Sequence, residues 1–139
     1  MVRPRFTRVG MTTTVAITCL VAAAVASGAV SRSFRGRTSQ RQPISLRVSG
    51  GFVRKLDYHI VDKCPAGLRL VNHDFGFPRI RLAHSKFAGT FRDPVHQGKA
   101  VVSGAIRRGM AEGSIRDRTR SVTTHRICTG RAKFRLHAR

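Results

Sequence analysis

Residues 100–116 read AVVSGAIRRGMAEGSIR, and their alternation decides the fold class. Ala100, Val102, Gly104 and Ile106 take every second position of one run; Ala111, Gly113 and Ile115 do the same in the next. Extended chain sends successive side chains to opposite faces, so this spacing lays one face of each run against a core. The connection Arg107-Arg108-Gly109 is short and carries a glycine, which reads as a hairpin. The final segment alternates in the same way, Ala132, Phe134, Leu136 and Ala138 against Lys133, Arg135, His137 and Arg139.

Upstream the period of two persists. Ile44, Leu46 and Val48 alternate with Ser45 and Arg47 until Gly50-Gly51 interrupts them. Leu56, Tyr58 and Ile60 follow; then Leu68 and Leu70 flank Arg69, Ile80 and Leu82 flank Arg81, and Phe87, Gly89 and Phe91 run up to Arg92-Asp93-Pro94. Nowhere in residues 30–139 do apolar residues recur at helical spacing over three turns. The expectation is an all-β domain over residues 44–139, a small antiparallel barrel or sandwich. Within it Asn72-His73-Asp74 and Arg92-Asp93-Pro94 read as loops, with Asp closing an Asx turn rather than binding calcium.

A short motif recurs: Ala88-Gly89-Thr90-Phe91-Arg92, Ser103-Gly104-Ala105-Ile106-Arg107 and Glu112-Gly113-Ser114-Ile115-Arg116. On a strand the apolar residue and the Gly two places before it share the inner face, while the Arg faces solvent. A Gly there lets strands bend or another side chain pack over it. None of the three has the strand-to-helix setting or the Gly-Lys-Ser/Thr of a phosphate-binding loop.

The order of these motifs, with the closing Cys128-Thr129-Gly130 and its alternating basic tail, resembles small exported β-domains of unassigned function from high-GC actinobacteria. The likeness covers Phe87–Arg139 and the N-terminal segment described next. It implies an exported, disulfide-bonded, all-β protein and brings no catalytic residue and no ligand.

Arg3, Arg5 and Arg8 precede an uncharged stretch, Val9–Ser31, whose apolar centre is Val15–Ala26. Ser27-Gly28-Ala29 then offers small residues for signal-peptidase cleavage after Ala29, with Ala26 as the alternative. This is the layout of a secretory signal helix over residues 1–29. A retained anchor is the rival reading, since Met11–Val30 is just long enough to span a bilayer. Arg32, Arg35 and Arg37 on its far side oppose that orientation. Ala16-Ile17-Thr18 before Cys19 is a poor lipobox. Residues 30–43 are polar, basic and aperiodic, and read as a flexible leader.

Cleavage after Ala29 leaves 24 basic groups, six acids and two cysteines, Cys64 and Cys128. An even pair in an exported chain reads as a disulfide, which would stabilise the fold by about 4 kcal/mol in the chain-entropy treatment. Zinc would have only Cys64, His125 and Cys128 to hold it, and structural sites want four ligands. No metal and no cofactor are expected.

Six carboxylates among 139 residues, no Trp and one Tyr leave little for carboxylate catalysis or aromatic base stacking. The formal charge of +21 points instead to polyanions. The candidate contacts are Arg79, Arg81, Arg107, Arg108, Arg116, Arg131, Lys133 and Arg135, outward on strands or at turns. Arg92, Arg118, Arg120, Arg126 and Arg139 follow the same pattern. For an exported protein the available partners are cell-wall polymers, phospholipid headgroups and extracellular DNA. Against this stands a compositional account: arginine outnumbers lysine 22 to five, and the charges are spread along the chain rather than clustered.

The alternatives are a membrane-tethered form of the same domain, and a small secreted hydrolase in which two of His59, His84 and His125 converge beside arginines. No HxH, HExxH or GxSxG spacing supports the hydrolase, so the reading is a non-enzymatic exported module. The intact mass of the protein recovered from the culture medium is expected to match residues 30–139 less two hydrogens. A full-length, membrane-bound species with free thiols would refute both the cleavage and the bridge.

Overall fold

A computed structural model describes residues 30–74, 76–94 and 97–139. The signal helix and the cleavage positions Ala26 and Ala29 lie outside the described residues. The remainder is almost entirely antiparallel strand: β1 (Arg32–Arg37), β2 (Pro43–Ser49), β3 (Phe52–Lys63), β4 (Arg69–Asp74), β5 (Ile80–Arg81), β6 (Lys86–Asp93), β7 (Gly98–Arg107), β8 (Met110–Arg120) and β9 (Ile127–Ala138). A 3-10 turn at Pro65–Gly67 joins β3 to β4.

Neighbours run in the order β4-β3-β2-β1-β9-β8-β7-β6. β3 also meets β9 at Lys63↔Thr129, which closes β1, β2, β3 and β9 into a four-stranded barrel. β4 extends the wall from β3, and β8, β7 and β6 extend it from β9 as a meander. β5 caps the start of β3 through Val53↔Ile80 and Phe52↔Arg81.

The inward positions of the alternating runs build one core. Phe34, Leu46, Leu56, Tyr58, Ile60, Val102, Ile115 and Leu136 are fully buried within it. The recurring glycines sit among them for a steric reason. Phe87, Gly104, Gly113 and Phe134 form one cross-strand row over β6–β9. A Cβ on Gly104 would fall 2.7 Å from Phe87 Cζ, and one on Gly113 would fall 2.6 Å from Phe134 Cζ. The two rings therefore lie over the two glycines and cover the backbone that those glycines leave bare. The β7–β8 hairpin turns on Arg108 (φ 48°) and Gly109 (φ 76°), the left-handed pair that matches strand twist.

The disulfide joins Cys64, just after β3, to Cys128 in β9. It therefore lies next to Lys63↔Thr129, the pair that closes the barrel.

Residues 30–43 are not a flexible leader. β1 pairs with β2 from Arg32↔Val48 to Arg37↔Pro43 and with β9 at Phe34↔Ala138 and Arg35↔His137. The segment looks aperiodic because its inner face holds Phe34 and then Gly36, where a Cβ would come within 2.8 Å of Leu136 Cδ2. The next residues carry the closure onward. Ser39 N–H donates to Lys133 O (2.7 Å), and Lys133 N–H donates to Ser39 Oγ (2.9 Å). Gln40 Nε2 donates to Val61 O (2.9 Å) and Arg131 O (3.2 Å), while its Oε1 accepts from Val61 N–H (2.7 Å). The amide of Gln40 thus occupies the ladder between β3 and β9 where no strand residue fits.

Asn72-His73-Asp74 is likewise not a loop. It forms the second half of β4, opposite Tyr58–Ile60. Arg92 and Asp93 end β6, and Pro94 stops it. Gln40→Ala leaves Val61 N–H and C=O without their partner, so a loss of about 1–3 kcal/mol is expected in urea unfolding of the oxidised protein. A variant as stable as the parent would show that this bridge does not hold the seam.

Candidate polyanion-binding face

Strand alternation sends the basic residues of β6–β9 to one side, opposite the core. The register aligns them in rows. Arg116 stands directly across from Arg131, and Lys99 across from Arg118. In the next rows Ser103, Ser114 and Lys133 are neighbours, then Lys86, Ala105, Glu112 and Arg135. Every basic side chain in these rows is exposed. Glu112 is the single acid on this face, 3.4 Å from Arg135 Nη2. Both partners of that pair are well solvated, so it contributes little.

Like charges placed directly opposite on a strand pair repel. Among the described residues no carboxylate within ion-pair distance relieves Arg116, Arg131, Lys99 or Arg118. Beside them the short side chains Ser103, Ala105 and Ser114 floor a trough of about 740 Å³. Arg37, Lys86, Lys133 and Arg135 stand at its rim. Ser103 and Ser114 bring their hydroxyls to 3.4 Å from each other on that floor. The arrangement offers hydroxyl donors at the base and movable cations along both edges, which suits a chain of anionic groups.

Glu112 stands alone on this face because the other five acids turn elsewhere. Asp62 of β3 and Asp117 of β8 are buried at the end of the core. Asn72 Nδ2 donates to Asp62 Oδ2 (2.6 Å) and to Asp117 Oδ2 (3.2 Å). The Tyr58 hydroxyl donates to Asp74 Oδ2 (2.8 Å). Burial, with the charge of Asp117 second, pushes the Asp62 carboxyl up to about 7. Burial, with the charge of Asp74 second, raises Asp117 as well. Asp74 is raised by its own burial, against the pull of the Tyr58 hydrogen bond, and its charge repels that of Asp93. Burial, then the charge of Asp74, also raises the Tyr58 phenol. Gly130 makes room for this cluster, since Asp62 Oδ1 occupies the place where its Cβ would be.

Of the candidate contacts, the structure brings Arg116, Arg131, Lys133 and Arg135 together, with Arg107 and Arg108 at the β7–β8 turn of the same sheet. Arg79 and Arg81 are not part of the face. Arg81 belongs to β5, and Arg79 stacks on the Phe52 ring, 5.6 Å from its centroid, with Arg54 at 5.5 Å. Lys86 and Lys99 join the face unannounced, because neither could be placed before the register was known. Arg37 joins the trough although its segment reads as a leader.

The histidines also fall differently from expectation. His59 meets His73, its cross-strand partner, with ring centroids 4.1 Å apart. His84 and His125 lie in turns at positive φ. Among the described residues no group of three or more His, Cys, Asp or Glu is disposed to hold a metal ion. Compared with protein-family models, curated proteins and solved structures, the chain matches none.

The Asp62–Asp117 pair makes stability depend on pH. An unfolded Asp titrates near 3.9, so the folded state keeps its proton to higher pH than the unfolded chain does. That stabilisation is complete below about pH 4 and is lost as the pH rises through about 7. Stability measured by denaturant unfolding is expected to fall between about pH 4 and about pH 7, and Asp62→Asn to remove most of the fall. An Asp62→Asn profile as steep as the parent's would refute the assignment.

Proposed function

We propose that this protein is an exported, non-enzymatic β-domain that binds anionic polymers of the cell envelope or its surroundings through the outer face of β6–β9. The supporting observation is the pairing of Arg116 with Arg131 and of Lys99 with Arg118, opposite one another and, among the described residues, without a carboxylate in ion-pair distance. Such rows repel in the free protein, and an anionic strand lying across them relieves the repulsion as it binds. The trough floored by Ser103 and Ser114 gives that strand a track.

The setting agrees with this reading. The Cys64–Cys128 bridge belongs to an oxidising, extracytoplasmic environment. Among the described residues no helix is long and apolar enough to cross a membrane. Teichoic or uronic polymers, anionic headgroups and extracellular DNA are the polyanions such a protein meets, and repeated phosphate or carboxylate is their shared chemistry. Affinity then comes from charge neutralisation and counter-ion release, and carries little sequence or linkage specificity.

Retention on immobilised heparin across a salt series tests the reading. Arg116→Ala/Arg131→Ala is expected to lower the slope of log affinity against log salt by about one per residue removed. Arg79→Ala/Arg81→Ala, with the same change in net charge, should leave the slope nearly unaltered. Equal losses in the two variants would mean that total charge alone governs binding and that the face has no special part in it.

A further inference from the structure

The outer face of the barrel carries a second basic recess, separate from the β6–β9 rows. Its wall starts with the cross-strand row Arg35, Ser45 and Asp57 on β1, β2 and β3. His59 of β3 and His73 of β4 stack beside that row. Ser45 is short between longer neighbours, and the dip it leaves is a cleft of about 520 Å³ that Arg35, Arg37, His59, His73 and Arg139 also line.

Asp57, the one side-chain carboxylate lining the cleft, is already engaged. Asp57 Oδ1 lies 2.6 Å from His73 Nε2, and Oδ2 lies 4.0 Å from Lys55 Nζ. Asp57 therefore orients the His73 ring. It leaves the three guanidinium groups without a carboxylate partner among the described residues. Arg37 is held in place by donating from Nη1 to Arg41 O (2.9 Å), which keeps its head near the opening.

We propose that this cleft is a seat for a single phosphate group, free or as a terminal ester. The cleft lining supplies guanidinium forks from β1 and from Arg139, the His59 imidazole from β3 and the Ser45 hydroxyl from the floor. A tetrahedral anion offers oxygens in all of those directions, whereas a planar carboxylate is satisfied from one side. Guanidinium forks pair with phosphate through two parallel hydrogen bonds, and the charge assistance makes those bonds strong. The volume exceeds that of phosphate alone, which leaves room for the group that an ester would carry. This seat does not depend on the polymer-binding reading: the two recesses meet at Arg37, and the other residues of each are its own.

The test is a titration of the oxidised protein with inorganic phosphate at constant ionic strength, followed through the histidine ring resonances. A saturable shift is expected at His59 and His73, with His84 and His125 unmoved. Arg35→Ala/Arg139→Ala, both exposed positions outside the polymer trough, should weaken binding about tenfold or more. Arg116→Ala/Arg131→Ala should leave it unchanged while lowering heparin retention. Methyl phosphate binding as tightly as inorganic phosphate would identify a seat for esters; methyl phosphate binding much more weakly would identify one for the free ion. A shift that never saturates, or one weakened equally by both double variants, would overturn the proposal. Neither outcome would bear on the heparin result.

Discussion

One closure holds the architecture together: β3 is joined to β9 at a single register pair, Lys63↔Thr129. A single pair is a weak joint for two twelve-residue strands, and two devices reinforce it. Next to it the Cys64–Cys128 bridge ties residues 64 positions apart in the chain. Further along, the side-chain amide of Gln40 replaces the missing ladder rungs between Val61 and Arg131. If the seam parted, β1 and β2 would remain on β9 through two register pairs, the Thr38↔Phe134 bridge and the hydrogen bonds between Ser39 and Lys133. The meander β6–β9 would then lose the partner that covers its inner face. The disulfide thus acts at the joint with fewest hydrogen bonds.

The same closure partitions the charge. Folding the sheet round gives every strand an inner and an outer side, and the chain has only six acids to distribute. Asp62 and Asp117 are drawn into the interior, where Asn72 satisfies one oxygen of each. Taking carboxyl groups out of water is tolerable there because holding a proton removes the charge. What remains outside on β6–β9 is arginine and lysine with Glu112 alone among them. A spread of charge that looks uniform along the chain becomes one-sided in space, because alternation sends every second residue the same way.

The all-β class, most strands from Ile44 onward, the β7–β8 hairpin and the disulfide could be read from the chain. Period-two alternation and an even cysteine count are local signals that need no knowledge of partners. The glycines of the recurring motif were legible as inner-face residues, but the reason for them, Phe87 and Phe134 lying over Gly104 and Gly113, needed the register. Two segments misled for opposite reasons. Arg32–Arg37 is a strand whose inner face ends in a glycine, so it lacks the apolar repeat that announces a strand. Arg69–Asp74 is a strand whose inner positions are Leu70, Asn72 and Asp74, the last two of which otherwise favour turns.

The candidate site divides along the same line. Sequence alone determined that the protein is strongly basic, that its strands carry arginine on the solvent side, and that Cys64 and Cys128 belong together. Alternation and composition are properties of neighbouring residues, so they survive without a fold. Only the tertiary structure decided which charges share a face: it joined Lys99 to Arg118 and Arg116 to Arg131, and sent Arg79 and Arg81 away to Phe52. It also brought His73 to Asp57 and His59, and hid Asp62 beside Asp117. Each of these is a pairing between strands distant in the chain. Register is set by the packing of the whole core, and no single segment contains it.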